Sequence, residues 1–243
     1  FPASSIALTH ASGAGAPIFY HFAWAAYSLG KVEQARQAME KSLQASPEPQ
    51  MAQDTQTFLA LTAVGPEDPG ALASAEPRIR EKLAADPNYV PAVMAAAASD
   101  IQSGKTEEAI VRYQSVLKKF PDFAPAQRQL ASLYANDPAR LAEAYDLASK
   151  ARKMLPGDPA TAALLGQLSY QKKEYPRAIQ LLQESDRAKP LDAKGLYFLG
   201  MADKESNHPT EAKDALKKAL TKGLPQPMTE SAQKALGELD KKP

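Results

Sequence analysis

The residues able to do chemistry are few and dispersed. Ser103–Gly104–Lys105–Thr106 carries the lysine and hydroxyl that follow glycine at the end of a phosphate-binding loop. That loop needs a further glycine five places earlier, where this chain has Ser99, and a strand before it, where the pattern is helical. Gly13 and Gly15 form a Gly-x-Gly without the third glycine or flanking strand of a dinucleotide site. His10, His21 and His208 lie far apart. None has a histidine or carboxylate at a spacing such as i, i+4, which would let two side chains share a metal. There is no cysteine, hence no thiolate nucleophile or ligand. No metal site and no cofactor are expected.

Carboxylates such as Glu107–Glu108 and Asp186–Asp192 fall at helix starts and ends, where acids complement the dipole or act as caps. General acid–base catalysis needs two carboxyls in environments that separate their pKa values, and nothing in the pattern provides that. The chain reads as non-catalytic. Lys118–Lys119, Lys150–Arg152–Lys153, Lys172–Lys173 and Lys217–Lys218 lie in last turns or loops without interleaved aromatics. With a net charge of +1, no nucleic-acid partner is expected.

The chain that must position these residues is 44% hydrophobic and 23% charged over 243 residues, which suits one or two folded domains. Residues 1–100 carry 6 basic against 10 acidic side chains, and residues 101–243 carry 23 against 18, a mild gradient of solvated charge. No apolar run reaches the roughly 18 residues of a membrane span. The chain starts at Phe1, without initiator Met or a basic–apolar–small leader, and is expected to be a fragment or processed form. Composition leaves its compartment open.

The organising feature is repetition. Residues 88–121 read as two amphipathic helices, Pro91–Gln102 and Thr106–Lys119, turned by Ser103–Gly104–Lys105 and stopped at Pro121. Residues 18–47, 161–190 and 195–224 lie on 92–121 without a gap, and 126–156 fits with one extra turn residue. Pro87, Pro121, Pro156 and Pro190 are 34, 35 and 34 apart. Small residues recur mid-way along the first helix (Ala23, Ala97, Gly166, Gly200) and early in the second (Ala35, Ala109, Ala144, Ala178, Ala212). Two antiparallel helices can approach closely only there, and larger residues such as Tyr113, Leu130 and Leu182 fill the surrounding space.

A 34-residue helical hairpin with small residues at places 8, 20 and 27 and proline at place 32 resembles the tetratricopeptide repeat. The resemblance covers about 16–49 and 88–224. It implies an all-α, right-handed solenoid of helical hairpins (a superhelix) that binds protein segments rather than catalysing a reaction. Two regions depart from the pattern. Residues 1–12 fit only the second helix of an incomplete preceding copy, and Pro47 to Pro87 is 40 residues. There the sequence predicts a helix at Met51–Val64, a breaker-rich Gly65–Gly70 and a short helix at Pro77–Ala85. Residues 47–61 and 225–239 also resemble one another, each a Pro-x-Pro followed by one amphipathic helix, as a capping helix would begin. The expected organisation is the end of one array at 1–64, a linker or enlarged turn at 65–76, and an array of about four hairpins with a capping helix at 77–240. One continuous solenoid with an enlarged turn is the alternative.

In each first helix, places 4, 7, 8 and 11 are committed to packing, and places 5, 9 and 12 share another face. By the resemblance, that face lines a concave groove. It presents Tyr20, Trp24 and Tyr27; Met94 and Ile101 around Ala98; Arg128; Gln167 and Tyr170; and Tyr197, Met201 and Lys204. Large apolar and aromatic residues with few charges are unusual on a solvated face, and Trp, Tyr and Arg often anchor interfaces. The expected partner is therefore an extended or helical segment of another protein, with Arg128, Lys194 and Lys204 favouring acidic groups. The lysine and asparagine with which some relatives clamp a carboxylate are replaced by Tyr20 and Trp24. The alternative function is self-assembly into a homo-oligomer through the edges of the repeat stack.

Overall fold

A computed structural model of the chain describes residues 15–65 and 68–241. The half-repeat expected at 1–12, His10 and Gly13 lie outside the described residues. Those residues contain thirteen α-helices, one 3-10 turn and no strand. The chain divides into two compact units, Phe1–Ala126 and Gln127–Pro243.

The first unit holds α1 (Ala16–Ser28), α2 (Val32–Gln44), α3 (Pro49–Ala63), α4 (Pro69–Ala85), α5 (Val90–Gln102) and α6 (Thr106–Lys119). α1 packs on α2 and α5 on α6 as antiparallel hairpins. Ala23, Ala35, Ala97 and Ala109 are fully buried, so the helix axes meet at the small places the sequence marks. α5 is buried almost all round, through Pro91–Val93 and Ala95–Ala98. Five of these seven buried residues are alanine, which lets neighbours approach from several sides.

The expected break at 65–76 is helical from Pro69 onward. Asp68 caps α4, accepting from the Ala71 N–H at 2.9 Å, and the helix then runs through Pro77 to Ala85. Leu72, Ala75 and Ile79 are buried while Pro77 is exposed. The buried stripe keeps its phase across the proline, whose missing hydrogen bond falls on the solvated side. Leu61 of α3, Ala75 and Ile79 of α4, and Ala92, Ala95 and Ala96 of α5 form one cluster. The expected boundary at 65–76 therefore lies inside the first unit, and α3 packs on further helices on its far side.

The remaining helices are α7 (Ala124–Tyr134), α8 (Leu141–Met154), α9 (Pro159–Gln171), α10 (Tyr175–Ala188), α11 (Ala193–Glu205), α12 (Pro209–Thr221) and α13 (Gln226–Asp240), with the 3-10 turn at Pro138–Arg140. In the second unit α9 pairs with α10 and α11 with α12. A Cβ on Gly166 would sit 2.7 Å from Leu182 Cγ, and one on Gly200 would sit 2.7 Å from Leu216 Cγ and 3.0 Å from the Leu216 nitrogen. Glycine is required by that close approach.

The hairpin turn is the same local device in four copies. Gly30, Gly104, Lys173 and Asn207 occupy one place in the repeat, and all are left-handed, with φ of 73°, 74°, 64° and 61°. Around each, the helix end is closed by two backbone bonds. At α9, for instance, the Lys173 N–H donates to Tyr170 O and the Glu174 N–H to Ser169 O, both at 2.8 Å. Glycine suits this conformation and asparagine, at Asn207, tolerates it; Lys173 adopts it because packing of the flanking helices fixes the turn.

Candidate interaction face

Places 5, 9 and 12 gather an aromatic cluster in the first unit. Trp24 lies edge-on to Tyr20 (centroids 6.4 Å apart), Tyr27 (6.1 Å), Phe58 (5.1 Å) and Tyr89 (5.7 Å). Such edge-to-face pairs add to simple burial. Tyr27 continues the cluster inward to Phe123 at 5.3 Å and is 5% exposed. Burial, with Tyr89 close by, raises the Tyr27 hydroxyl pKa far above its ordinary value. Trp24 and Tyr20 remain half-buried, as do Met94 and Ile101 on α5, while Ala98 is buried.

Phe58 and Tyr89 are members of this cluster that sequence reasoning missed. A signal for Phe58 existed. It stands 34 residues beyond Trp24, so continuing the repeat count through the irregular stretch places Asp54, Phe58 and Leu61 at places 5, 9 and 12 of α3. Asp54 pairs with Lys82 of α4 at 3.3 Å, and that lysine lies over the Tyr89 ring, 5.9 Å from its centroid.

In the second unit the same places are more polar. Arg128 is half-buried and 4.0 Å from Asp158, whose carboxylate caps α9 by accepting from the Thr161 N–H at 2.8 Å. Tyr170 packs on Phe198 and Tyr175, at 5.5 and 5.8 Å, and burial, with Tyr197, Glu205 and Tyr175 nearby, pushes its pKa up to about 12. Lys204 is tied to Glu238 of α13 at 2.8 Å, a bond that raises the lysine pKa and lowers that of the acid. Lys194, on the same helix, is half-buried and has no ion-pair partner among the described residues. Burial lowers its pKa, with Asp192 opposing.

The structure also removes three residues from an open face. Tyr27, Gln167 at 7% exposure and Tyr197 at 8% are packing residues. The Tyr197 hydroxyl donates to Ser231 Oγ of α13 at 3.0 Å. Tyr20, Trp24, Met94, Ile101, Arg128, Tyr170, Met201 and Lys204 stay half-buried, neither sealed nor fully solvated. Among the described residues no helix is long and apolar enough to cross a membrane.

Comparisons with known proteins follow the same lines. Family models described as tetratricopeptide repeat match residues 16–49 and 92–122. The chain is similar in fold to Cut9–Hcn1, an APC/C hetero-tetramer, at 16% identity over 91% of this chain and 42% of that one, with a TM-score of 0.58. It is also similar to PilF of Pseudomonas aeruginosa, at 18% identity over 84% of this chain and 89% of that one, with a TM-score of 0.53. A tetratricopeptide repeat protein from Parabacteroides merdae is 14% identical over 93% of this chain and 92% of that one, with a TM-score of 0.51. At these identities the likeness is one of fold. No curated protein matches significantly. With two copies matched by the family and others in register with them, the chain is a tetratricopeptide repeat protein.

Proposed function

We propose that this chain is a non-catalytic scaffold that binds an extended or helical segment of another protein along the inner face of its first helices. The observation that carries the reading is the state of places 5, 9 and 12. Tyr20, Trp24, Met94 and Ile101 in the first unit, and Tyr170 and Met201 in the second, keep apolar surface half-exposed on the one face the repeat does not need for its own hairpin. A segment laid on that face of either unit would gain roughly 25 cal/mol per Å² of apolar surface removed from water. The cation of Lys194 would favour an acidic group beside it. Capture of partners by the wild type should be lost in a triple variant, Tyr20→Ala, Met94→Ala and Met201→Ala, and kept in an outer-face control, Glu108→Ala with Lys118→Ala. Retention of every partner by the triple variant, with unchanged helical circular dichroism, would sink the reading.

A second reading, self-assembly, is favoured by α1. Ile18 is 54% exposed and Leu29 51%, whereas Ala92 and Thr161, at the place of Ile18 in later copies, are fully buried. Light scattering across a concentration series separates the two: growth in size that Ile18→Glu abolishes supports assembly, and a constant monomer removes it.

A further inference from the structure

Resting on the groove reading, we propose that the aromatic cluster of the first unit binds a proline-rich segment in the extended polyproline conformation. The argument is one of hydrogen-bond polarity. The Tyr20 and Tyr89 hydroxyls and the Trp24 indole N–H have no hydrogen-bond partner among the described residues. Burial and the neighbouring Tyr20, Asp54 and Asp86 raise the Tyr89 pKa further above its ordinary value, so its hydroxyl keeps its proton. The face thus offers hydrogen-bond donors set among apolar rings. Asp54 is paired with Lys82, Lys82 covers Tyr89, and Asp86 accepts from the Asn88 N–H at 2.9 Å.

A run of proline complements such a face. Each proline has a carbonyl to accept and no N–H to strand, and its ring supplies apolar surface for the aromatic flanks. A segment of ordinary residues would bring an N–H at every position, and of the nearby carboxylates Asp54 is held by Lys82 and Asp86 already accepts from the Asn88 N–H, outside the rings. Spacing agrees as well. Tyr20, Trp24 and Tyr89 follow one another at 6.4 and 5.7 Å, and two residues of polyproline advance about 6 Å. The ligand is already in its bound conformation, so little ordering is lost on docking.

The test uses the full chain and its single tryptophan. Titration with acetylated octaproline should change Trp24 fluorescence saturably. Tyr20→Phe and Tyr89→Phe, which keep the ring and remove one donor, should each weaken binding about 3- to 10-fold. A glycine–serine octapeptide should leave the signal unchanged. The proposal is overturned if octaproline gives no change, if glycine–serine or octaglutamate binds equally, or if both Tyr→Phe variants bind like wild type. It is also overturned if the signal drifts with protein concentration alone, which would make a second copy the occupant. Loss of partners from the triple variant together with silence toward octaproline would leave the groove reading standing and this inference fallen. Saturable octaproline binding beside full partner retention by that variant would do the reverse.

Discussion

α3 and α13 begin alike and end in different surroundings. Each follows a left-handed residue, Ser46 at φ 55° and Gly223 at φ 85°, and then a Pro-x-Pro. At the same place the ordinary copies keep a negative φ, −128° at Phe120 and −152° at Lys189. α3 goes on to bury Phe58 completely and Leu61 almost so, with α4 and α5 packed beside it. α13 buries Ala232, Ala235 and Leu239 on one side and leaves Glu230, Gln233, Lys234 and Glu238 exposed on the other. The turn decides how the chain leaves a hairpin. The far side of the helix decides whether another helix can be added, because only an apolar side gains by being covered.

The sharpest way to break this contrast is to empty the core of α3. Phe58→Ala should cost about 3–5 kcal/mol, while Leu239→Ala in α13 should fall at the lower end of about 2–5 kcal/mol. Equal losses in urea unfolding would erase the distinction. Glycine to alanine probes it next. Gly200→Ala forces a Cβ against the Leu216 backbone on the hairpin that supports α13, and should cost about 1–3 kcal/mol. Gly237→Ala, in α13, meets nothing within 4 Å and should instead stabilise by about 0.4–1 kcal/mol. A drop in melting temperature for Gly237→Ala would mean that its side of the helix is covered.

The two turns then offer an exchange of opposite sign. Ser46→Gly relieves a left-handed serine and should stabilise slightly, and Gly223→Ala introduces the same strain and should cost about 1 kcal/mol. Thermal melts of both settle whether the shared turn is strained in one and relaxed in the other. The smallest effect concerns Asp203 of α11, on which α13 packs. Burial raises this carboxyl above its ordinary pKa, against the pull of His208 at 3.3 Å. The folded state then binds the proton more tightly than the unfolded one. The stability it contributes is present below the ordinary aspartate range and fades as pH rises through the raised value. Asp203→Asn should flatten melting temperature against pH over that window, and an unchanged slope would refute the assignment.

Much of this was legible in the residues. The small places, Ala23 to Gly200 and Ala35 to Ala212, announce where helices touch, because glycine and alanine are the only side chains that fit there. The turns at Gly30 and Gly104 are equally readable. Asn207 is readable too, since asparagine tolerates a left-handed backbone, but Lys173 is not, because lysine has no local preference for it and is held there by the helices on either side. Pro77 reads as a boundary, yet the stripe of Leu72, Ala75 and Ile79 carries α4 past it. Within the candidate face, periodicity assigns Tyr27, Gln167 and Tyr197 to a side of a helix. It cannot tell that Phe58, Phe123 or Ser231 will arrive from elsewhere to cover or bind them, since those contacts depend on the copy before or after.

The alanine-rich α5 has a consequence for the order of events when the chain folds. Alanine is the strongest helix former and surrenders no side-chain rotamers on burial, so Ala92–Ala98 can become helical and dock at little entropic cost. Its partner α6 is separated from it by only the short turn at Gly104, which keeps loop closure cheap. The α5–α6 hairpin should therefore be the earliest structure to gain amide protection in pulsed hydrogen exchange, ahead of the wider α3–α4 pair. Protection appearing first in α3 would locate the nucleus in the aromatic cluster instead.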